Sequence, residues 1–525
     1  MELNTIAKSI SVAALLSCAG LGVAQADSVL VLRDVGDIQQ MDPLASTNYP
    51  MRDMSYLLWD TLFAMDENFE AQPQMVGAYS VSDDGMTYEF TLRDGLLFHD
   101  GAPVTTVDVI ASIERWMTKD SLGLQIAQRL VSMEAIDDSS WRIVLNEPFG
   151  QLLNGLGRMT AYPLFIMPER LAKTPIGEKL PDLIGSGPFK LAEWRPGVVF
   201  AVEKFQEYVP RDEPPSNLAG GKVAKVDRIE RATIPDDMSA VNALLSGEID
   251  LLKGIPYDAL ALLDTEDNLE YGARPLLGQS IQIVLNHTQP PFDNIKVRQA
   301  VQLALSQQDF MATLLGDRDD LYEICAAIFM CGGPFETDVN SERYMNENFE
   351  ASKALLEEAG YDGTPITYLH PVDQQFQRDM GTVLIDKLRS GGFVVDARQI
   401  DLATMFSRRS NNGPVSEGGW NMFLTAFGGD AMMDPLTNPY VSGACEEAFV
   451  GWPCDEELQA NWREFLLADT NDARMAAAVK IQDRSNEIVT FVPMGQYFGV
   501  TAWKTSVSGQ IDSPVSVYWN IEKAE

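Results

Sequence analysis

Residues 78–112, AYSVSDDGMTYEFTLRDGLLFHDGAPVTTVDVIAS, read as strand, turn and helix, and they confine the chain to a mixed α/β fold. Tyr88, Phe90 and Leu92 alternate with polar residues, the period of a half-buried strand. Asp84-Gly85 ahead of them is a turn signal. Beyond the strand, Thr105 has the place of a helix N-cap, with Asp108 three residues on as the capping-box acid. Elsewhere, Val297, Ala300, Val301, Ala304 and Leu305 fall on one helical face. Phe376, Met380, Val383, Leu384 and Leu388 do the same, and Gly391-Gly392 ends that helix before strand-like Phe393-Val394-Val395. Helical and strand segments alternate without a repeat period, which argues against a solenoid.

The 525 residues exceed one small domain and call for two or three lobes. The chain carries 39 Lys+Arg against 76 Asp+Glu, a net charge of −37. Phosphate contacts need Lys/Arg patches, so this balance argues against nucleic acid and anionic membrane surfaces as partners. It suits a solvated surface; attraction of cationic ligands is the functional reading of the same charge.

Residues 1–26 have the layout of a cleaved secretory signal. Lys8 lies in a short basic region, Ile10 to Val23 is mostly apolar, and Ala24-Gln25-Ala26 is an A-x-A cleavage site. A lipoprotein signal with Cys18 acylated is the rival reading. No later apolar run approaches bilayer-spanning length. Cys325, Cys331, Cys445 and Cys454 remain after cleavage, and an even number in an exported chain suggests two disulfides. Local pairing, Cys325–Cys331 and Cys445–Cys454, is the simplest connectivity. A zinc site is the alternative, but neither pair has C-x-x-C spacing and His is scarce.

The wording of residues 78–112 resembles a signature of the extracytoplasmic solute-binding proteins of peptide-type ABC transporters, bacterial solute-binding protein family 5. That family binds dipeptides, oligopeptides, nickel chelates and some sugars. Further matches follow in order: Ile184 to Lys190 with Glu193-Trp194, Leu245 to Asp250, Pro291 to Asn294 with Val297 to Ala300, and Leu355 to Tyr361. The resemblance implies a two-lobed periplasmic binding protein fold, type II-like, in its large cluster C form, with an extra subdomain inserted in lobe one. Mapped by the motifs, lobe one is 27–65, 186–275 and 490–525, the inserted subdomain 66–185, and lobe two 276–489. The Cys445–Cys454 pair also resembles a loop disulfide of the dipeptide-binding branch.

Catalytic constellations are missing from the sequence. There are three histidines, His99, His287 and His370, and no H-E-x-x-H, G-x-S-x-G or P-loop pattern. A binding protein needs instead charge complementarity in a desolvated cleft. In the peptide-binding branch an aspartate grips the ligand's α-amino group within a G-W-x-x-D-x-x-[DE]-P stretch. Asp430 falls on that aspartate within Ala426 to Pro435, although Phe427 replaces the tryptophan and one extra residue precedes Asp434. Asp430 is thus either a ligand contact or a turn residue. His370 either donates to a ligand carboxylate or is an ordinary strand-end residue. Trp420 and Phe427 are aromatic candidates, as cleft or as core. Tyr49, after Met41-Asp42-Pro43, resembles a first-lobe segment that lines the cleft.

The expectation is a monomeric periplasmic protein, without metal or cofactor, that closes around a small peptide or peptide-like solute and delivers it to an inner-membrane ABC permease. An oligosaccharide, an opine-like conjugate or chelated nickel is the alternative ligand, and an exported hydrolase is the rival class.

Overall fold

The computed structural model describes residues 28–274 and 276–524. The signal-sequence reading and the alternative at Cys18 lie outside them.

Two sheets organise the chain. The first has seven strands, in the order Leu269–Ala273, Val500–Lys504, Leu251–Lys253, Val29–Arg33, Arg228–Ala232, Val199–Lys204 and Phe189–Arg195. Its centre is Val29–Arg33, parallel to both neighbours. Leu30 and Leu32, on one face of it, are fully buried, while Val29 and Val31 on the other are half-buried. The second sheet has six strands, in the order Tyr322–Glu323, Phe491–Tyr497, Gln279–Leu285, Met422–Gly428, Ile366–Pro371 and Val395–Ile400. Helices cover it, among them Ile295–Leu303 and Gln375–Ser390, whose apolar faces enter one core with Ile281, Ile283 and Leu424.

The inserted region is a four-stranded antiparallel sheet, in the order Val76–Val81, Thr87–Leu92, Ser140–Leu145 and Leu130–Ala135. Tyr88, Phe90 and Leu92 all face its core, which is the alternation that the sequence carries. The helix Thr106–Met117 packs on it, and the Asp108 carboxylate accepts from the Thr105 backbone N–H at 2.9 Å, closing the capping box.

One boundary needs correction. Ending lobe two at 489 assigns Phe491–Tyr497 to lobe one. That strand pairs with Gln279–Leu285 and Tyr322–Glu323, so it belongs to the second sheet, and the chain rejoins the first sheet only at Val500–Lys504. Strand pairing decides membership, and pairing partners are not written in a strand's own periodicity. Cys325 is bonded to Cys331, and Cys445 to Cys454. No helix among the described residues is long and apolar enough to cross a membrane.

Candidate functional site: the cleft between the lobes

The helix Tyr49–Leu58 carries the lobe-one side of the cleft. Asn48 caps it by accepting from Met51 N–H at 3.0 Å, and Pro50 fits its first turn, where no N–H partner is lost. Pro50 to Leu58 are all buried. Arg52 and Asp53 therefore hold charge in an otherwise apolar helix, and a buried charge must be paired.

The pairing reaches across the cleft. Arg52 Nε and Nη2 donate to Asp53 Oδ1 at 3.1 and 3.0 Å, while Arg52 Nη1 lies 2.5 Å from Asp430 Oδ2. Thr160 Oγ1 donates to the same Asp430 oxygen at 2.7 Å. Asp53 Oδ2 in turn meets Lys253 Nζ at 3.2 Å, and Lys253 meets Asp34 at 2.9 Å. The Tyr49 ring covers the Arg52 guanidinium, 4.7 Å from its centroid. Burial works against the charge on Arg52, but Asp53 and Asp430 outweigh it and raise its pKa. Lys253 is raised in the same way, by Asp34, Tyr518 and Asp53 against burial.

Asp430 arrives on a turn that only glycine permits. The strand Met422–Gly428 runs directly into the short helix Gly429–Met432. A Cβ on Gly429 would stand 2.4 Å from the Leu277 carbonyl oxygen, and one on Gly428 would stand 2.5 Å from Asp430 Oδ1 and 2.9 Å from the Tyr49 hydroxyl. The first is a backbone clash that no rotamer relieves.

Beside this network lies a cavity of about 500 Å3, walled by both lobes. Met65, Phe69 and Met159 come from lobe one and its insertion, and Phe335, Met433 and Phe465 from lobe two. Glu70, Arg158, Asp434 and Arg474 add charge to the wall. Arg158 is more than nine-tenths buried, and its Nε has no hydrogen-bond partner. Its contacts to Asp120, Ser121 and the Leu436 carbonyl are long, at 3.3, 3.2 and 3.5 Å. Burial raises the pKa of Asp434, with Arg158 opposing. Burial lowers that of Arg474, against Glu70, Asp469 and Asp434. Thr160 belongs both to the cavity wall and to the Asp430 contact, so the ion pair closes one end of the cavity.

The residues singled out from sequence divide. Asp430 and Tyr49 meet in the Arg52 network, although neither lines the cavity. Phe427 is half-buried, its ring edge-on to Tyr440 at 5.8 Å. Trp420 as a cleft aromatic is corrected: it is fully buried among Phe423 and Trp452, and its indole N–H is bonded to the Arg409 carbonyl. His370 as a carboxylate donor is corrected too. Its ring stacks on Tyr368 beneath Gly381, Nε2 faces the Arg378 carbonyl at 3.2 Å, and burial lowers its pKa, favouring the neutral form. Arg52, Thr160, Arg158 and Arg474 escaped the sequence reading. Only Arg52-Asp53 left a local signal, as charges inside an apolar helix.

Known proteins share this architecture. The model of the bacterial extracellular solute-binding proteins, family 5, matches residues 70–449. A relative from Sinorhizobium fredii, named a probable peptide ABC transporter periplasmic-binding protein, is 34% identical over 493 residues, covering 93% of this chain and 92% of its own. The crystal structure of the ABC transporter substrate-binding protein CtaP from Listeria monocytogenes superposes with a TM-score of 0.79 at 20% identity, over 95% of this chain and 100% of that one. A dipeptide-binding protein from Pseudoalteromonas in complex with Met-Leu gives 0.74 at 18%, over 94% and 100%.

Proposed function

The chain belongs to the bacterial extracellular solute-binding proteins of family 5, and from that premise we propose that it captures a small peptide or peptide-like solute between its lobes. Delivery is to an inner-membrane ABC permease, from the periplasm, after export on a signal cleaved behind Ala26. The protein acts as a monomer, and ligand binding shifts its open–closed population. The ligand leaves unchanged, so no covalent step is assigned.

One observation carries the peptide reading: a cavity between the lobes has an aspartate, Asp430, at one end and an under-bonded buried arginine, Arg158, in its wall. A zwitterionic peptide presents one ammonium and one carboxylate, and each loses water on closure and must meet an opposite charge. Asp430 takes the ammonium. Arg158, which lines the cavity and is otherwise paired through Nη1 with Asp120 at 3.3 Å, takes the carboxylate. The relative from Sinorhizobium fredii, named a probable peptide ABC transporter periplasmic-binding protein, supports a peptide over a sugar.

The test is a thermal-shift screen of the mature protein against di-, tri- and tetrapeptides, oligosaccharides and chelated nickel. A ligand that binds only the folded state raises the midpoint by mass action. Peptides are expected to do so, and N-acetylation or C-terminal amidation to weaken the effect. Shifts with sugars or nickel chelates alone would discard the peptide reading.

A further inference from the structure

Asp430 already has a cation. Its carboxylate is bonded by Arg52 and Thr160, both from the lobe-one side, and by no other side chain among the described residues. Arg52–Asp430 is also the one ion pair, among the described residues, that joins the half of the chain built on the seven-stranded sheet to the half built on the six-stranded sheet. Both side chains are dry, 7% and 5% exposed.

We infer that Arg52 is an interlobe latch that holds the empty protein closed by standing where the ligand's ammonium goes; the ligand half of this inference rests on the peptide reading above. The two partners are unequal when the lobes part. Arg52 keeps Asp53, a neighbour on its own helix bonded through Nε and Nη2, and keeps the Tyr49 ring over its face. Asp430 leaves with lobe two, which offers its carboxylate no side-chain partner, and it takes up water. Closure therefore exchanges hydration of one carboxylate for one short ion pair and one hydroxyl bond. In a dry site the cost of desolvation and the Coulomb attraction nearly cancel. A contact so balanced can hold an empty cleft shut and still yield to a ligand that brings further contacts. An incoming ammonium replaces Arg52 Nη1 at Oδ2 beside Thr160, and Arg52 turns wholly to Asp53. The latch thus sets a threshold: a ligand without a cation able to displace a guanidinium finds Asp430 occupied, and apparent affinity is scaled by the unlatched fraction.

Small-angle scattering of the ligand-free mature protein tests the latch without any ligand. Wild type is expected to scatter as the compact, closed form. Arg52→Gln and Asp430→Ala are each expected to raise the radius of gyration by the same amount, and the double variant no further. Asp430→Ala leaves Arg52–Asp53 intact, so it judges the latch even where Arg52→Gln fails to fold. An unchanged radius of gyration in Asp430→Ala, or a wild type already open, overturns the latch. Calorimetry with trialanine tests the stand-in. Where about nine-tenths of the empty wild type is latched, Arg52→Gln binds trialanine roughly tenfold more tightly. Weaker binding by Arg52→Gln overturns it and makes Arg52 a residue that positions Asp430. If trialanine binds neither protein while the scattering behaves as expected, the latch stands and the peptide reading falls.

Discussion

The Thr160 hydroxyl lies 2.7 Å from Asp430 Oδ2, so a cavity-wall residue of the lobe-one side holds a lobe-two carboxylate in place. This bond forms only when the lobes are together, and it leaves the internal packing of each lobe untouched.

Thr160→Val removes the hydroxyl at nearly constant volume. The latched empty protein makes this bond too, so its loss is expected to loosen the latch and raise the radius of gyration of the ligand-free protein, with little change in its melting temperature. Small-angle scattering and thermal melts read the two quantities. An unchanged radius of gyration would mean that the Thr160 hydroxyl adds nothing to the hold on Asp430.

Gly150 marks where the inserted subdomain touches lobe two. A Cβ there would stand 2.6 Å from Asp469 Cα and 2.7 Å from the Ala468 carbonyl oxygen, both backbone atoms. Gly150→Ala is expected to wedge the cleft open, leaving scattering of the peptide-saturated protein near that of the open form. Full closure in this variant would show that the contact yields by backbone adjustment.

Lys222 and Asp60 meet at 2.7 Å with neither side chain exposed, and the Tyr208 hydroxyl adds a bond to the other Asp60 oxygen at 2.9 Å. Removing one partner strands the other charge, so Lys222→Met is expected to cost about 3–5 kcal/mol in chemical denaturation. A near-neutral result would argue that water reaches Asp60.

The same pair sets an acid limit. Burial pushes the Asp60 pKa up, but Lys222 and Arg93 outweigh it, and the folded-state pKa lies below the ordinary value. The folded state then binds the proton less readily than the unfolded chain. Its contribution to stability is present above the unfolded pKa of about 3.9 and is lost as pH falls through the lower folded value. Asp60→Asn should flatten the fall in melting temperature below about pH 4. An equally steep acid limb in the variant would assign that limb to other carboxylates.

The Cys445–Cys454 bond closes a loop with a sequence separation of 9, beside the helix Glu456–Leu467. Cys445→Ser with Cys454→Ser is expected to destabilise the protein by about 2–3 kcal/mol, through the freedom returned to the unfolded chain. Equal melting temperatures for this variant and the oxidised parent would exclude the loop as a stabilising element.

Much of the architecture was legible because it is local. The alternation at Tyr88, Phe90 and Leu92, the capping box at Thr105 and Asp108, and the paired cysteines depend on neighbours a few residues away. The strand Phe491–Tyr497 was misassigned because its pattern states that it is buried, not which sheet buries it. Trp420 and His370 were open between site and core for a related reason, and the structure buries both. Aromatic and imidazole side chains serve a core as readily as a site, and nothing beside them in the chain tells which.

The sequence by itself determined an α/β chain, its family, and an aspartate at position 430 within a recognisable stretch, and it offered local cysteine pairing that the structure then shows. The tertiary structure alone decided what that aspartate meets. Arg52 lies 378 residues away along the chain and Thr160 lies 270 away. Local periodicity reports burial one element at a time, whereas a buried charge takes its meaning from the opposite charge that folding brings to it. At Asp430 that charge is a guanidinium from the opposing lobe, 2.5 Å away.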